Sequence, residues 1–128
     1  MTHKILIMSI MTMLTSVFSC QAQDKGFTSL SVEKYEEAIS DTANVIRLDV
    51  RTEEEFKEGH IDNAINIDVL KNDFESKATT VLPKSKIIAV NCRSGKRSKT
   101  AATILVKNGY RVIELDTGYN GWIAAGKK

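Results

Sequence analysis

The residue in this chain best equipped for chemistry is Cys92, followed by Arg93-Ser94-Gly95-Lys96-Arg97-Ser98. Three cations and a glycine within five residues make a setting able to hold an anion or to stabilise negative charge on sulfur. The thiolate is the nucleophilic form of cysteine, and cationic surroundings favour it. Gly95 supplies the backbone freedom that a tight loop needs. The opposing reading, a buried structural cysteine beside a solvated basic loop, fits such a concentration of charge poorly.

The flanking residues say how this thiol is positioned. Residues 87–90 are β-branched or small and too few for a helix, which predicts a buried strand. Ser98 is expected to cap a helix whose apolar residues are Ala101, Ala102, Ile104, Leu105 and Val106, ending near Asn108-Gly109. Cys92 then falls at the carboxyl end of a strand, just before a helix N-terminus, where open α/β sheets place their crevices. Backbone N–H groups in such a turn point inward, and the helix dipole adds partial positive charge.

Further strands are expected at 27–30, 44–51, 64–67 and 110–115. Helices are expected at 32–39, 53–58 and from Asp68 to about Lys77, with a last helical turn after Gly118. Ser31 caps the first of these helices, and Thr52 with Glu55 forms a capping box for the second. Strands alternating with helices predict an α/β fold: a small, open, mostly parallel sheet with helices on both faces. At 128 residues the chain holds one domain. A net charge of +2 argues against a nucleic-acid partner, and no basic stripe with interleaved aromatics is present.

Residues 1–22 read as a signal peptide, with a weakly basic start and an apolar run over residues 5–14 that is short for a membrane span. Val17-Phe18-Ser19-Cys20 resembles a lipobox, which makes Cys20 a lipidation site. Cleavage after Ala22 and an uncleaved anchor are the other readings. All three put the domain, residues 23–128, outside the cytoplasm, in the periplasm for a bacterial lipoprotein. Cys92 then has no partner for an internal disulfide. No His/Cys cluster has metal-ligand spacing, and no cofactor is expected.

Leu48-Asp49-Val50-Arg51-Thr52-Glu53-Glu54-Glu55-Phe56 and Gly59-His60-Ile61-Asp62-Asn63-Ala64-Ile65-Asn66-Ile67 resemble the D-V-R-x-x-x-E-[FY] and G-H-I-x-x-A-x-x-[IV] signatures of single-domain rhodaneses. Cys92 to Ser98 resembles the active loop of that family. Gly118-Tyr119-Asn120-Gly121-Trp122, with Ala125-Gly126, resembles its closing element. The motifs stand in family order across the mature chain. The resemblance implies a sulfurtransferase in which Cys92 takes a sulfur from thiosulfate or a persulfide and passes it to cyanide, a thiol or a protein cysteine. It also implies that loop N–H groups from Arg93 to Ser98 steady the persulfide and that Arg93, Lys96 and Arg97 hold the anionic donor. Ser94 and Ser98 would add hydroxyl bonds.

Asp49 and Arg51 lie near the loop in this family. They are expected to be structural, with Arg51 paired to an acid such as Glu55. His60 is expected to make a turn hydrogen bond, and Trp122 to pack. The rival functions are weaker. The Cys-x5-Arg pattern of cysteine phosphatases, whose arginine clamps phosphate bidentately, would need arginine at Ser98. Thioredoxin-like chemistry needs a second cysteine at Gly95. A sulfur-carrier, redox-sensing or partner-binding role for the same loop is the alternative.

Overall fold

The computed structural model describes residues 26–128; residues 1–22, read above as a signal peptide, and Cys20 with them, lie outside the described residues. Five strands, β1 (Thr28–Leu30), β2 (Val45–Asp49), β3 (Ile65–Asn66), β4 (Ile87–Asn91) and β5 (Arg111–Leu115), alternate with five helices. These are α1 (Val32–Ile39), α2 (Glu53–Glu58), α3 (Phe74–Val81), α4 (Lys96–Lys107) and α5 (Gly118–Ala124). The strand order is β1-β5-β4-β2-β3, and every pair is parallel.

The register decides which residues meet at the working end of the sheet. Asp49 stands beside Asn91, and Val90 beside Glu114, so the carboxyl ends of β2, β4 and β5 lie side by side. The connection after β2 runs outward to β3, whereas the one after β4 runs the other way to β5. Cys92 therefore lies at the topological switch point, where the two connections part and leave a crevice.

Alternation along the strands divides the apolar side chains between two cores. Leu48, Ile88, Val90 and Val112 face Phe74 and Ala78 of α3 and Ala101, Ala102 and Leu105 of α4, and Cys92 belongs to this layer. Ala89 and Leu115 face Val32, Tyr35 and Ile39 of α1 and Trp122 of α5. A sheet covered on both faces explains why β4 carries almost no polar alternation.

Two expectations are corrected. The helix foreseen from Asp68 begins instead at Phe74. The Asp68 carboxylate accepts the Leu70 N–H at 2.8 Å, and this local bond holds the segment in a turn. Phe74, Ala78 and Leu82, all buried, then set the face of the displaced helix. Ser98 is not the cap of α4. The cap position is Gly95, and Ser98 is buried in the first turn. Its hydroxyl is drawn to a side chain of the strand beneath it, Glu114 of β5, rather than to its own backbone.

Candidate active site

The loop must turn from strand to helix within Cys92, Arg93, Ser94 and Gly95. Gly95 has φ +104°, and a Cβ there would run into the Asp116 carbonyl oxygen. With that bend the Gly95 N–H points at Cys92 Sγ and donates to it at 3.1 Å. The first-turn N–H groups of α4, which begins at Lys96, have no partner within the helix. Cys92 is only 1% exposed, so its sulfur lies inside the loop rather than on it. The Ser98 hydroxyl oxygen is 3.4 Å from Sγ.

The start of α5 holds the loop from outside. Tyr119 N–H donates to the Cys92 carbonyl at 2.8 Å, and Asn120 N–H to the Arg93 carbonyl at 3.0 Å. Gly118, at φ +65°, allows this approach, because a Cβ there would meet the Arg93 backbone.

Of the cations expected to hold a donor, Arg97 is engaged by Glu55 in a bidentate pair of 2.7 and 3.0 Å. Arg93, with an exposed side chain, reaches the same carboxylate at 3.3 Å. Lys96 and Ser94 are exposed on the outside of the turn. The Arg97 hydrogen bonds, aided by those from Thr52, hold the Glu55 carboxyl down at about 2, against the opposing effect of burial. Glu55 thus serves both its own helix cap and the loop.

Arg51 pairs with Asp49 and not with Glu55, which corrects the expected partner. Its Nη2 is 2.8 Å from Asp49 Oδ2, and its Nε donates to both carboxylate oxygens at 3.0 and 3.1 Å. Two positions apart at a strand end, both side chains turn into one buried pocket. Arg51 also donates to the Gly59 carbonyl at 2.7 Å and lies over the Tyr119 ring at 4.4 Å. The pair therefore ties β2, the Gly59 turn and α5 together behind the loop. His60 donates through Nδ1 to the Phe56 carbonyl at 2.8 Å and stacks on the Phe56 ring, a turn role as expected. Trp122 packs edge-on against Tyr35.

Beside the loop a cavity of about 270 Å³ opens between Arg51, Glu55, Gly59, Arg93, Tyr119 and Asn120. Among the described residues no group of three or more His, Cys, Asp or Glu side chains is placed to hold a metal ion. Two residues absent from the sequence reading complete the site. Glu114, fully buried, accepts from Ser98, and Lys99 stands beside it. A glutamate inside a strand otherwise reading Val-Ile-Leu was the available signal, since carboxylates are almost never fully buried without partners.

These features define a class: a parallel α/β domain with one enclosed cysteine in a glycine-turned loop at the switch point. Residues 31–125 match the family described as Rhodanese-like domain. The chain belongs to that family. It is 30% identical over 95 residues to a sulfurtransferase of Allochromatium vinosum, covering 73% of this chain and 86% of that one. It is 35% identical to thiosulfate sulfurtransferase 18 of Arabidopsis thaliana, covering 59% of this chain and 65% of that protein. Against the first Arabidopsis relatives it matches, the chain spans between about half and two thirds of their length. The crystal structure of a rhodanese-related protein from Thermoplasma volcanium superposes with a TM-score of 0.70 at 29% identity, covering 80% of this chain and 96% of that one.

Two outcomes follow from this geometry. Glu55 ionises in the folded protein well below the ordinary carboxylate range, so its contribution is complete above about pH 4.5. It is lost as pH falls towards about 2. Denaturant titrations should show wild type losing on the order of 2–3 kcal/mol more than Glu55→Gln across that interval. Gly95→Ala forces a side chain into left-handed backbone against a carbonyl, and should cost at least about 1–3 kcal/mol by thermal or urea melting.

Proposed function

We propose that this domain is a sulfurtransferase working through a Cys92 persulfide, with thiosulfate or a persulfide as donor and cyanide, a thiol or a protein cysteine as acceptor. The observation that carries this reading is the Gly95 N–H aimed at an enclosed Cys92 sulfur at 3.1 Å. Such a contact favours negative charge on that atom. The named sulfurtransferase relatives support the same class of chemistry.

In the first step the Cys92 thiolate attacks the outer sulfur of the donor. For thiosulfate, the sulfur–sulfur bond breaks with its electron pair going to sulfite, and Cys92 keeps the transferred sulfur as a persulfide. In the second step the acceptor attacks that outer sulfur, and Cys92 leaves as thiolate. The cycle is two-step covalent catalysis and gives ping-pong kinetics. Donor charge is met at the pocket mouth by Arg93, whose own tie to Glu55 is long and exposed. Arg97, held by Glu55, shapes the loop and adds to its field. The rival, a carrier or sensor that takes sulfur without turnover, differs only in the second step.

Residues 1–22 are proposed to direct export, with Cys20 as the lipidated residue of a periplasmic lipoprotein, on the Val17-Phe18-Ser19-Cys20 pattern. Cells expressing the full chain should incorporate labelled fatty acid into it, and Cys20→Ala should abolish the label; equal labelling of both would remove the lipid anchor.

Intact mass spectrometry after incubation with thiosulfate tests the chemistry. Wild type should gain the mass of one sulfur atom, Cys92→Ser should not, and cyanide should remove it. No gain from thiosulfate or a persulfide donor overturns the reading. Sulfur gained but not released to cyanide or a thiol selects the carrier.

A further inference from the structure

Cys92 is backed by a carboxylate that the sulfur-transfer steps above leave unused. Glu114 lies on β5, flanked in the sheet by β1 and β4, and is fully buried in the layer that contains Cys92, Ala101 and Ala102. Its Oε2 accepts the Ser98 hydroxyl at 2.6 Å, and its Oε1 accepts the Ser29 hydroxyl at 2.6 Å. The Lys99 ammonium stands 3.3 Å from the carboxylate and supplies its counter-charge.

Counting protons fixes the direction of this chain. An ionised carboxylate only accepts, and a serine hydroxyl has one proton to give. Ser98 gives that proton to Glu114, so its oxygen meets Cys92 Sγ, 3.4 Å away, as an acceptor. The thiol is then the donor. The line reads Cys92 S–H to Ser98 O–H to the Glu114 carboxylate.

We propose that Glu114, acting through Ser98, takes the Cys92 proton as the nucleophile forms and returns it when the enzyme is regenerated. The proposal rests on the reading of Cys92 as the sulfur-accepting nucleophile. The thiol proton moves to Ser98 Oγ while the Ser98 proton moves to Glu114. Cys92 is left as a thiolate, now accepting a hydrogen bond from Ser98, and Glu114 becomes a neutral acid. One negative charge has moved from carboxylate to sulfur, and none has been added to the buried site. A thiol that released its proton to bulk water would instead place a second negative charge beside Glu114, at a high desolvation cost. Once the acceptor has removed the sulfur, the reverse shift restores thiol and carboxylate, so the proton balance closes over each turnover.

The neighbouring charges are already committed. Lys99 pairs with Glu114 and Asp116, Arg97 with Glu55, and, beyond Asn91, Asp49 with Arg51. Tyr35, packed against the opposite face, is held protonated by burial. His60 is engaged by Phe56. Among the described residues, Ser98 and Glu114 form the proton path that reaches Sγ. In this arrangement Ser98 touches the reacting atom, and Glu114 is a positioning residue that acts through it.

The test measures alkylation of Cys92 by iodoacetamide against pH, read on the Cys92 peptide by mass spectrometry. It uses the full chain as wild type, Glu114→Gln, Ser98→Ala and the double variant, with thiosulfate loading followed in parallel. Both single variants should react about a hundredfold more slowly at neutral pH, the lower end of what positioned proton transfer contributes. Their profiles should move to higher pH, and the double variant should fall no further, because the two residues act as one unit. Ser98→Ala removes a single oxygen and keeps the test decisive if Glu114→Gln does not fold. Unchanged profiles in the variants overturn the relay. So does a shift to lower pH on removing Glu114, which would make its charge a simple repulsion. If wild type loads sulfur while the variants keep its alkylation profile, only the relay fails. If wild type loads none, the sulfurtransferase reading fails and the relay with it.

Discussion

The site depends on a turn with very little chain in which to make it. The backbone leaves a strand buried from Ile88 onward at Asn91 and is helical from Lys96, so Cys92 to Gly95 must reverse direction with the sulfur on the inside. Left-handed backbone at Gly95 makes that possible, and the Asp116 carbonyl leaves room for no side chain there. Once the bend is set, the Gly95 N–H at the start of α4 points at Cys92 Sγ, 3.1 Å away. A field made of fixed dipoles and held cations needs no rearrangement when charge develops on sulfur.

The rest of the working end keeps this turn in place. Asp49 and Arg51 hold the end of β2 to the Gly59 turn and to Tyr119, and Tyr119 in turn clamps the Cys92 carbonyl. Removing one partner of such a buried pair leaves the other uncompensated, typically at a cost of about 3–5 kcal/mol. Glu55 does the same on the exposed side, joining the α2 cap to Arg97 and, more loosely, to Arg93. The motif acids thus work as braces for a basic loop. Pairing also explains why three formal cations near Cys92 do not give three free anion ligands: Arg97 is spoken for, and Arg93 faces the cavity mouth.

The two buried carboxylates at the strand ends have different surroundings and so do different things. Asp49 is occupied by the side-chain and backbone donors of Arg51. Glu114 receives two hydroxyls and one ammonium, and one of those hydroxyls leads to sulfur. The difference lies in connectivity, because both are fully enclosed.

Local patterns determined much of this protein. The short apolar run at 87–90, the Thr52–Glu55 capping box and the alternation of strands with helices specified an open parallel α/β sheet with Cys92 at a strand end. These signals survive in sequence because they rest on periodicity and on contacts between residues a few positions apart. Tertiary structure decided the remainder. It decided that Ser98 faces inward instead of capping its helix, and that Glu55 takes Arg97 and leaves Arg51 to Asp49. It also decided that Glu114 stands behind Cys92. The Arg97–Glu55 contact spans 42 residues and the Ser98–Glu114 contact 16. Such pairs are chosen by strand order and register, because burial compels each charge to take whichever partner the folded sheet brings within reach.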